Sequence, residues 1–321
     1  MKKVLVTGAA GTIGMHVIKY LLAEGKYEIT ALDLKNKKSL KKLKRYQNRI
    51  NVLYADVCDK VLINALVKDQ DIIIHLASTL PPIADMKKGL ANLIDYEGTK
   101  NIVRAIDYYN PDCHLFFAST MSMYKDNQNV TTRSKIKLDE YDYFDEAKKN
   151  AEDEIKEKLK NYTIYRLPIV LGNPKVDQFI YHVKKDRMVS FITKEDAAYA
   201  FVRGIKYLNK INKQTYNVTS GEEIKYGDLM NNILRIYGLN FKYILNRLFI
   251  DKNFYSPICK DKDDLNDIIS YRNDTLSEYY NRLRGRSKKR VVPKFFAKIF
   301  IRKHKWLVLL YLVVVFVVHM K

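Results

Sequence analysis

Short apolar runs alternate with amphipathic segments along most of the chain. The runs are too short for buried helices and are rich in β-branched residues, so they predict strands. Strands are expected at 3–7, 28–32, 51–55, 71–77, 115–119 and 163–170. The fourth run is apolar almost throughout, which is typical of a strand buried on both faces of a parallel sheet.

Helical periodicity fills the gaps between these strands, at 15–24, 60–68, 90–109 and 144–161. Alternating strands and helices predict the α/β class, with a doubly wound parallel sheet of the Rossmann type. Such sheets bind ligands beyond the carboxyl ends of their strands. The residues expected there are Gly8, Asp33, Asp56, Ala77, Ser119 and Pro168.

A glycine loop, Gly8-Ala-Ala-Gly11-Thr-Ile-Gly14, separates the first strand from the first helix. Its glycines allow a sharp turn and a close approach to a pyrophosphate, which the free N–H groups of the helix start attract. Asp33 ends the second strand, where it can accept both ribose hydroxyls of NAD and would repel the extra phosphate of NADP. Lys35 and Lys37 are compatible with NADP, but Asp33 favours NAD.

The formal net charge of +21 raises nucleic acid or an anionic membrane as a partner. Nine Lys or Arg and no acid lie between Gly285 and Lys305, so much of the excess belongs to a C-terminal tail. The three cysteines and six histidines lack the spacing of disulfides or metal ligands. We therefore expect reduced thiols, a cytoplasmic protein body and no metal site.

Several motifs occur in an order that resembles the extended short-chain dehydrogenases/reductases, the NAD-dependent epimerase/dehydratase family. They are Thr7–Gly14, Asp56-Val57, His75–Ser78, Gly98–Asn101, Ser119–Tyr124, Tyr165–Gly172, Phe191–Ala198 and Tyr216–Gly221. The resemblance covers residues 1 to about 284. It implies a Rossmann core at 1–171 and 191–221 and a small C-terminal substrate subdomain at 172–190 and 222–284, followed by a basic linker and hydrophobic tail at 285–321.

The resemblance also implies which residues hold the cofactor. These are Gly8, Gly11, Thr12, Ile13, Gly14, Asp33, Asp56, Val57, Ala77, Lys148 and Pro168. In the family, the acid at the position of Asp56 contacts the adenine amino group. The alternative from the residues alone is that Asp56 caps the helix that begins near Lys60.

The catalytic residues implied by the resemblance are incomplete. Thr120 fits the Ser/Thr position and Lys148 the lysine of Y-x-x-x-K, but the tyrosine position is Phe144, which has no proton to exchange. Tyr143 is a candidate substitute, as is Tyr141. A second departure is Asp95, where the family has Asn.

These departures leave two functions open. The first is an NAD-binding oxidoreductase, epimerase or dehydratase acting on a nucleotide sugar or related polyol, in which a nonstandard group or water moves the proton. The second is a non-catalytic NAD-binding or scaffold protein at the membrane. The segment Gly172–Phe191 is shorter than in nucleotide-sugar enzymes, whereas the basic, aromatic segment Gly238–Asp267 could hold an anionic ligand or be solvated. Family members often dimerise, so a homodimer is also compatible.

The C-terminal tail predicts a membrane-associating helix. Lys294–Lys305 is amphipathic with a cationic face, and Trp306–Val318 is continuously apolar. As a helix, Trp306–Met320 would span roughly 22 Å, short of the ~30 Å hydrocarbon core, so it either lies on the bilayer or anchors the chain by thinning it. We expect residues 286–320 to bind an anionic membrane surface, on the cytoplasmic face of the cell membrane, rather than nucleic acid.

Cell fractionation tests this expectation. Full-length protein should sediment with membranes at low salt, whereas a chain ending at Arg284 should be soluble, because it lacks both the basic and the apolar segment. Recovery of both chains in the soluble fraction would contradict the prediction.

Overall fold

A computed structural model of the chain describes residues 1–80, 83–86, 89–125, 129–138, 140, 142–173, 183–236, 256–261 and 264–289. The strands are β1 Lys2–Thr7, β2 Tyr27–Asp33, β3 Asn51–Tyr54, β4 Ile72–His75, β5 His114–Thr120, β6 Asn129–Val130, β7 Tyr162–Leu167, β8 Ile169–Leu171, β9 Met188–Thr193, β10 Gln214–Asn217, β11 Glu223–Lys225 and β12 Ile258–Cys259. The α-helices are α1 Gly14–Glu24, α2 Lys37–Leu43, α3 Lys60–Val67, α4 Ile83–Met86, α5 Gly98–Tyr109, α6 Tyr143–Lys158, α7 Lys194–Gly204, α8 Leu208–Ile211, α9 Tyr226–Ile236, α10 Leu265–Ile269 and α11 Leu276–Lys289.

Seven strands form one parallel sheet in the order β10-β7-β5-β4-β1-β2-β3. Side chains of β1 alternate between the two faces: Val4 and Val6 join the core beneath α1 and α7, and Leu5 joins the core beneath α3 and α5. The predicted doubly wound Rossmann sheet is therefore confirmed. Its order reverses between β1 and β4, which places a ligand crevice at the carboxyl ends of those two strands.

The strand predicted at 163–170 is in fact two strands, and the single-strand prediction is wrong. β7 ends at Leu167 and β8 begins at Ile169, with Pro168 between them. Proline has no N–H to donate to a ladder, so the chain can leave the main sheet there. β8 then pairs with β9 in a smaller sheet of order β11-β9-β8.

Two predicted boundaries also shift. The helix expected at 90–109 contains a π-helical segment, Asn92–Glu97, directly before α5. At the other end of the chain, α11 continues through Gly285 to Lys289, so the first residues of the predicted basic linker are helical.

The smaller sheet and two helices make a second packed unit. α9 and α11 cover it, and their core includes Leu229, Ile233, Tyr279 and Leu283. Most of the basic segment Gly238–Asp267 lies outside the described residues, and so does the whole of the tail Trp306–Val318. Within the part of the chain that the structure describes, no helix has the length and apolar character needed to cross a bilayer.

A buried ion pair joins α6 to the sheet. The guanidinium of Arg166 donates from Nε and Nη2 to the two carboxylate oxygens of Glu152, at 2.8 and 2.6 Å. Ser119 and Lys156 donate to the same carboxylate, at 2.6 and 2.8 Å. Burial raises the pKa of Glu152, but the hydrogen bonds and charges of Arg166 and Lys156 outweigh it and bring the pKa to about 2.

This ion pair predicts a pH-dependent contribution to stability. The Glu152 pKa lies below its value of 4.5 in an unfolded chain, so the contribution is complete above pH 4.5 and is lost as pH falls toward 2. Glu152→Gln should lower the free energy of unfolding by about 3 kcal/mol at pH 7, because Arg166 stays buried without a charged partner. Denaturant unfolding between pH 2 and pH 7 should show the difference from wild type narrowing below about pH 4.

Glu157→Gln is the matched control, since Glu157 lies on the same helix with a side chain that is 68% exposed. It should change stability little at any pH. A difference between Glu152→Gln and wild type that stays constant across the range would contradict the assignment.

Candidate functional site

The glycine loop is packed against the end of β4. Gly8 has a φ of +63°, and a Cβ there would lie 2.7 Å from the backbone of Leu76 and Ala77. A Cβ on Gly14 would lie 2.4 Å from the carbonyl oxygen of Gly8. Only glycine fits these two positions, so the backbone itself forms the wall of the crevice.

The amino terminus of α1 is open to an anion. Its N-cap, Ile13, forms no side-chain cap, and its first turn carries no acid. The first N–H groups of a helix need partners outside the helix, and together with the helix dipole they favour negative charge. At the far side of the loop, Thr12 lies against Gly172. A Cβ added to Gly172 would be 2.9 Å from Cγ2 of Thr12. The residues therefore fit a pyrophosphate.

Asp33 lies at the loop, as the sequence predicts. Its Oδ2 accepts the N–H of Ala10 at 2.8 Å. The same residue, Ala10, accepts a hydrogen bond from Nζ of Lys42 at 2.5 Å. Sequence reasoning missed Lys42, which α2 brings back to the loop; its only sequence signal is the lysine-rich composition of that helix.

Asp56 does not cap α3, so that alternative is wrong. The N-cap is Asp59, whose side chain accepts the N–H of Leu62 at 3.1 Å. Asp56 is exposed and accepts the N–H of Cys58 at 2.9 Å. Its neighbour Val57 is buried against Gly98. Contact of Asp56 with adenine stays a prediction.

His75, at the end of β4, contacts Thr7 at the end of β1 and Thr99 in α5. Its Nδ1 lies 2.6 Å from the Thr7 hydroxyl, and its Nε2 lies 3.0 Å from the Thr99 hydroxyl. The Thr99 hydroxyl donates to the carbonyl of Asp95, so Nε2 carries the proton and Nδ1 accepts from Thr7. Burial, together with the charge of Lys148, lowers the pKa of His75 to about 3, which keeps the ring neutral.

Lys148 is buried at the carboxyl ends of β4 and β5. Its Nζ lies 3.1 Å from Oδ1 of Asp95 and donates to the carbonyl of Ala118 at 3.0 Å. Asp95 in turn accepts hydrogen bonds from the Ser78 hydroxyl and from the Thr79 N–H. An ammonium has three protons, so one remains beyond these two polar contacts, and Asp95 balances the charge.

Phe144 is a core residue beside this ammonium. It packs with Ala84, Ala91 and Ala147, and its ring centroid lies 5.7 Å from Nζ of Lys148. Tyr143 begins α6 and lies partly buried against the same cluster. Tyr141 lies outside the described residues. The catalytic role of Tyr143 stays a prediction.

Thr120 ends β5 and heads a chain of polar groups that sequence reasoning did not assemble. Its Oγ1 lies 2.6 Å from the Ser122 hydroxyl, which donates to a carboxylate oxygen of Asp145. The other oxygen of Asp145 lies 3.3 Å from Nζ of Lys125, which also pairs with Asp142. Ser122 belongs to a motif that the sequence does show, and Asp145 adjoins Phe144, but nothing local indicates that they meet.

A separate cavity of about 440 Å³ opens at the opposite edge of the sheet. It lies at the amino ends of β1 and β5, beside Lys2, Asp112 and His114. None of the predicted site residues lines it. Among the described residues, no group of three or more His, Cys, Asp or Glu is arranged to hold a metal ion. The candidate site is therefore the crevice between β1 and β4.

Comparisons with known proteins agree with this geometry. UDP-N-acetyl-alpha-D-glucosaminuronate decarboxylase of Bacillus cytotoxicus is 30% identical over 124 residues, which is 38% of each chain. Sterol-4-alpha-carboxylate 3-dehydrogenase, decarboxylating, of Bos taurus is 22% identical over 75% of this chain and 71% of its own. The fold matches UDP-glucuronic acid 4-epimerase of Bacillus cereus, solved with UDP-glucuronic acid and NAD, at a TM-score of 0.74 and 18% identity, over 89% of this chain and 99% of that one.

A family model covers most of the described sheet. It matches residues 4–218, from β1 through the last strand of the main sheet, β10. This range contains the glycine loop, Asp33, Thr120 and Lys148. On this match, the chain belongs to the NAD dependent epimerase/dehydratase family.

Proposed function

We propose that the protein is an NAD-binding oxidoreductase, epimerase or dehydratase that acts on a nucleotide sugar. The observation that carries the proposal is the convergence of the glycine loop, Thr120 and Lys148 at the carboxyl ends of β1, β4 and β5. The two relatives named for UDP-linked sugars support the substrate class. The bovine relative acts on a sterol carboxylate. Sterol carboxylates are therefore the substrate class against which nucleotide sugars should be compared in an assay.

The cofactor would be held by the glycine loop and by Asp33. The open amino terminus of α1 suits the pyrophosphate, and the Asp33 carboxylate suits the ribose hydroxyls. The chemistry that bound NAD supplies is uptake of a hydride from a carbon that carries a hydroxyl group. Lys148 would donate its remaining proton to the nicotinamide ribose, and Thr120 would hydrogen-bond the substrate hydroxyl.

The choice of NAD over NADP rests on Asp33. A carboxylate beside the ribose would repel the extra 2′-phosphate of NADP, although Lys42 places a positive charge at the carbonyl of Ala10. Asp33 lies at the end of β2, and the ammonium of Lys42 is already hydrogen-bonded to the carbonyl of Ala10. NAD is therefore the proposed cofactor.

The membrane location belongs to the same proposal. The basic residues and apolar run of 286–320 would hold the enzyme at the cytoplasmic face of the cell membrane, as a peripheral or tail-anchored protein. A homodimer is part of the same proposal, with α6 in its interface.

A second function is favoured by one observation, the apolar packing of Phe144. A non-catalytic NAD-binding or scaffold protein at the membrane would need the glycine loop but no proton-transfer residue. Such a protein would bind NAD and convert no substrate.

Calorimetry and product analysis on the full chain separate these functions. Wild type should bind NAD more tightly than NADP. Asp33→Asn should weaken NAD binding about tenfold, because it loses the charged acceptor for the ribose while keeping an oxygen for Ala10. Chromatography should show conversion of one member of a panel of UDP-glucose, UDP-N-acetylglucosamine, UDP-glucuronic acid and dTDP-glucose.

Asp112→Asn makes the same chemical change at the opposite edge of the sheet and should leave NAD affinity as in wild type. NAD binding without conversion of any sugar would favour the second function. Absence of NAD binding would overturn both.

A further inference from the structure

Thr120, Ser122 and Asp145 form a continuous buried path of hydroxyl and carboxylate groups. Their exposures are 8%, 3% and 2%, so the path is shielded from bulk water. We propose that it is a proton relay, in which Asp145 accepts the proton that no phenol at position 144 can take. The inference rests on the proposed function, since it names the proton acceptor for that reaction.

The direction of the relay follows from counting donors. An ionised carboxylate only accepts, so Ser122 must use its single hydroxyl proton on Asp145. Ser122 can then only accept at its contact with Thr120, so the Thr120 hydroxyl donates to it across 2.6 Å. Thr120 has no proton left for a ligand, and its remaining lone pair can accept one. It also accepts the N–H of Ser122 at 3.1 Å, which fixes its rotamer.

A buried lysine places a positive charge beside the terminal carboxylate. Lys125 is 2% exposed and pairs with both Asp142 and Asp145. Its φ of 53° lies in the left-handed region that favours glycine, so the surrounding structure must hold the residue in place. Backbone conformations of this kind persist where neighbours determine them strongly, and they cluster at functional sites. The unusual backbone at Lys125 is what delivers an ammonium to Asp145.

Other charged groups nearby do not compete for the role. Lys148 lies one turn further along α6, but its ammonium is paired with Asp95 and has no lone pair to accept a proton. Phe144, next to Asp145 in the chain, carries no titratable group. Asp142 pairs with Lys125, whereas Asp145 is the acid that accepts the Ser122 hydroxyl, so Asp142 is a matched acid for comparison.

The proposed step is a concerted shift of three protons. The substrate O–H bond breaks and its proton joins Thr120 Oγ1, while the electron pair stays on the substrate oxygen. The Thr120 proton moves to Ser122, and the Ser122 proton moves to Asp145, which becomes a neutral carboxylic acid. One negative charge is thereby transferred from Asp145 to the substrate oxygen, and the reverse shift returns it.

Variants of the full chain test the relay with the nucleotide sugar that wild type converts. Asp145→Asn and Ser122→Ala should each lower kcat by about 100-fold or more, with KM and the NAD dissociation constant within about threefold of wild type. Asp142→Asn removes the other partner of Lys125 and should change kcat by less than about fivefold. A kcat loss in Asp142→Asn equal to that in Asp145→Asn would show a structural effect and overturn the relay. If Tyr143→Phe loses all activity while Asp145→Asn remains active, the relay is overturned and Tyr143 is the proton acceptor.

Neutron diffraction from crystals exchanged into D₂O tests the relay without a substrate. The map should show deuterium on Thr120 pointing to Ser122, deuterium on Ser122 pointing to Asp145, and none on Asp145. Deuterium on Asp145, or a Thr120 deuteron pointing into the crevice, would overturn the relay. If wild type converts no sugar in the panel, the proposed function fails, and with it the catalytic use of the relay, while the map still decides the donor direction.

Discussion

The buried ion pair between Lys148 and Asp95 fixes the geometry of the whole site. Asp95 is fully buried and binds the Thr79 N–H beyond β4, while Lys148 binds a carbonyl of β5, so the pair ties α6 and the π-helical segment to two strand ends. Lys148 is buried, and a buried ammonium would be strongly destabilised without an opposite charge. A carboxylate at position 95 supplies that charge. The two departures from the family pattern, Asp95 and Phe144, both lie beside this ammonium.

The two halves of the site differ in regularity. The half around the glycine loop is built from backbone: Gly8 and Gly14 pack on neighbouring main chain, and α1 begins without a side-chain cap. The half around Thr120 and Lys148 is built from buried side chains that are hydrogen-bonded or ion-paired, with Lys125 in a conformation that favours glycine. Backbone geometry changes little with sequence, whereas a side-chain network can be rearranged by a few substitutions. This explains how a family member could keep the cofactor crevice while the phenol at position 144 is absent.

The sequence predicts the position of the glycine loop well because its signals are local. Glycine spacing, a strand before and a helix after are enough to place Gly8, Gly14 and Asp33. Pro168 shows where local reasoning fails: the apolar run continues through it, and only the pairing of β8 with β9 reveals the break. From the sequence, Asp56 is a possible cap of α3, but the structure places Asp59 at the N-cap.

The polar path could not be predicted, because its members lie far apart in sequence. Ser122 and Asp145 are separated by 23 positions, and the packing of α6 against the end of β5 brings them together. Lys42 reaches the glycine loop across 32 positions for the same reason. Side-chain networks of this kind depend on tertiary packing, which hydrophobic periodicity does not encode.

A crystal structure of the full chain with NAD tests the central claim most directly. The pyrophosphate should lie at the amino terminus of α1, the adenosine ribose at Asp33, and the nicotinamide ribose within hydrogen-bonding distance of Lys148 while Lys148 remains paired with Asp95. A nicotinamide ribose out of reach of Lys148, or a cofactor bound away from the glycine loop, would contradict it.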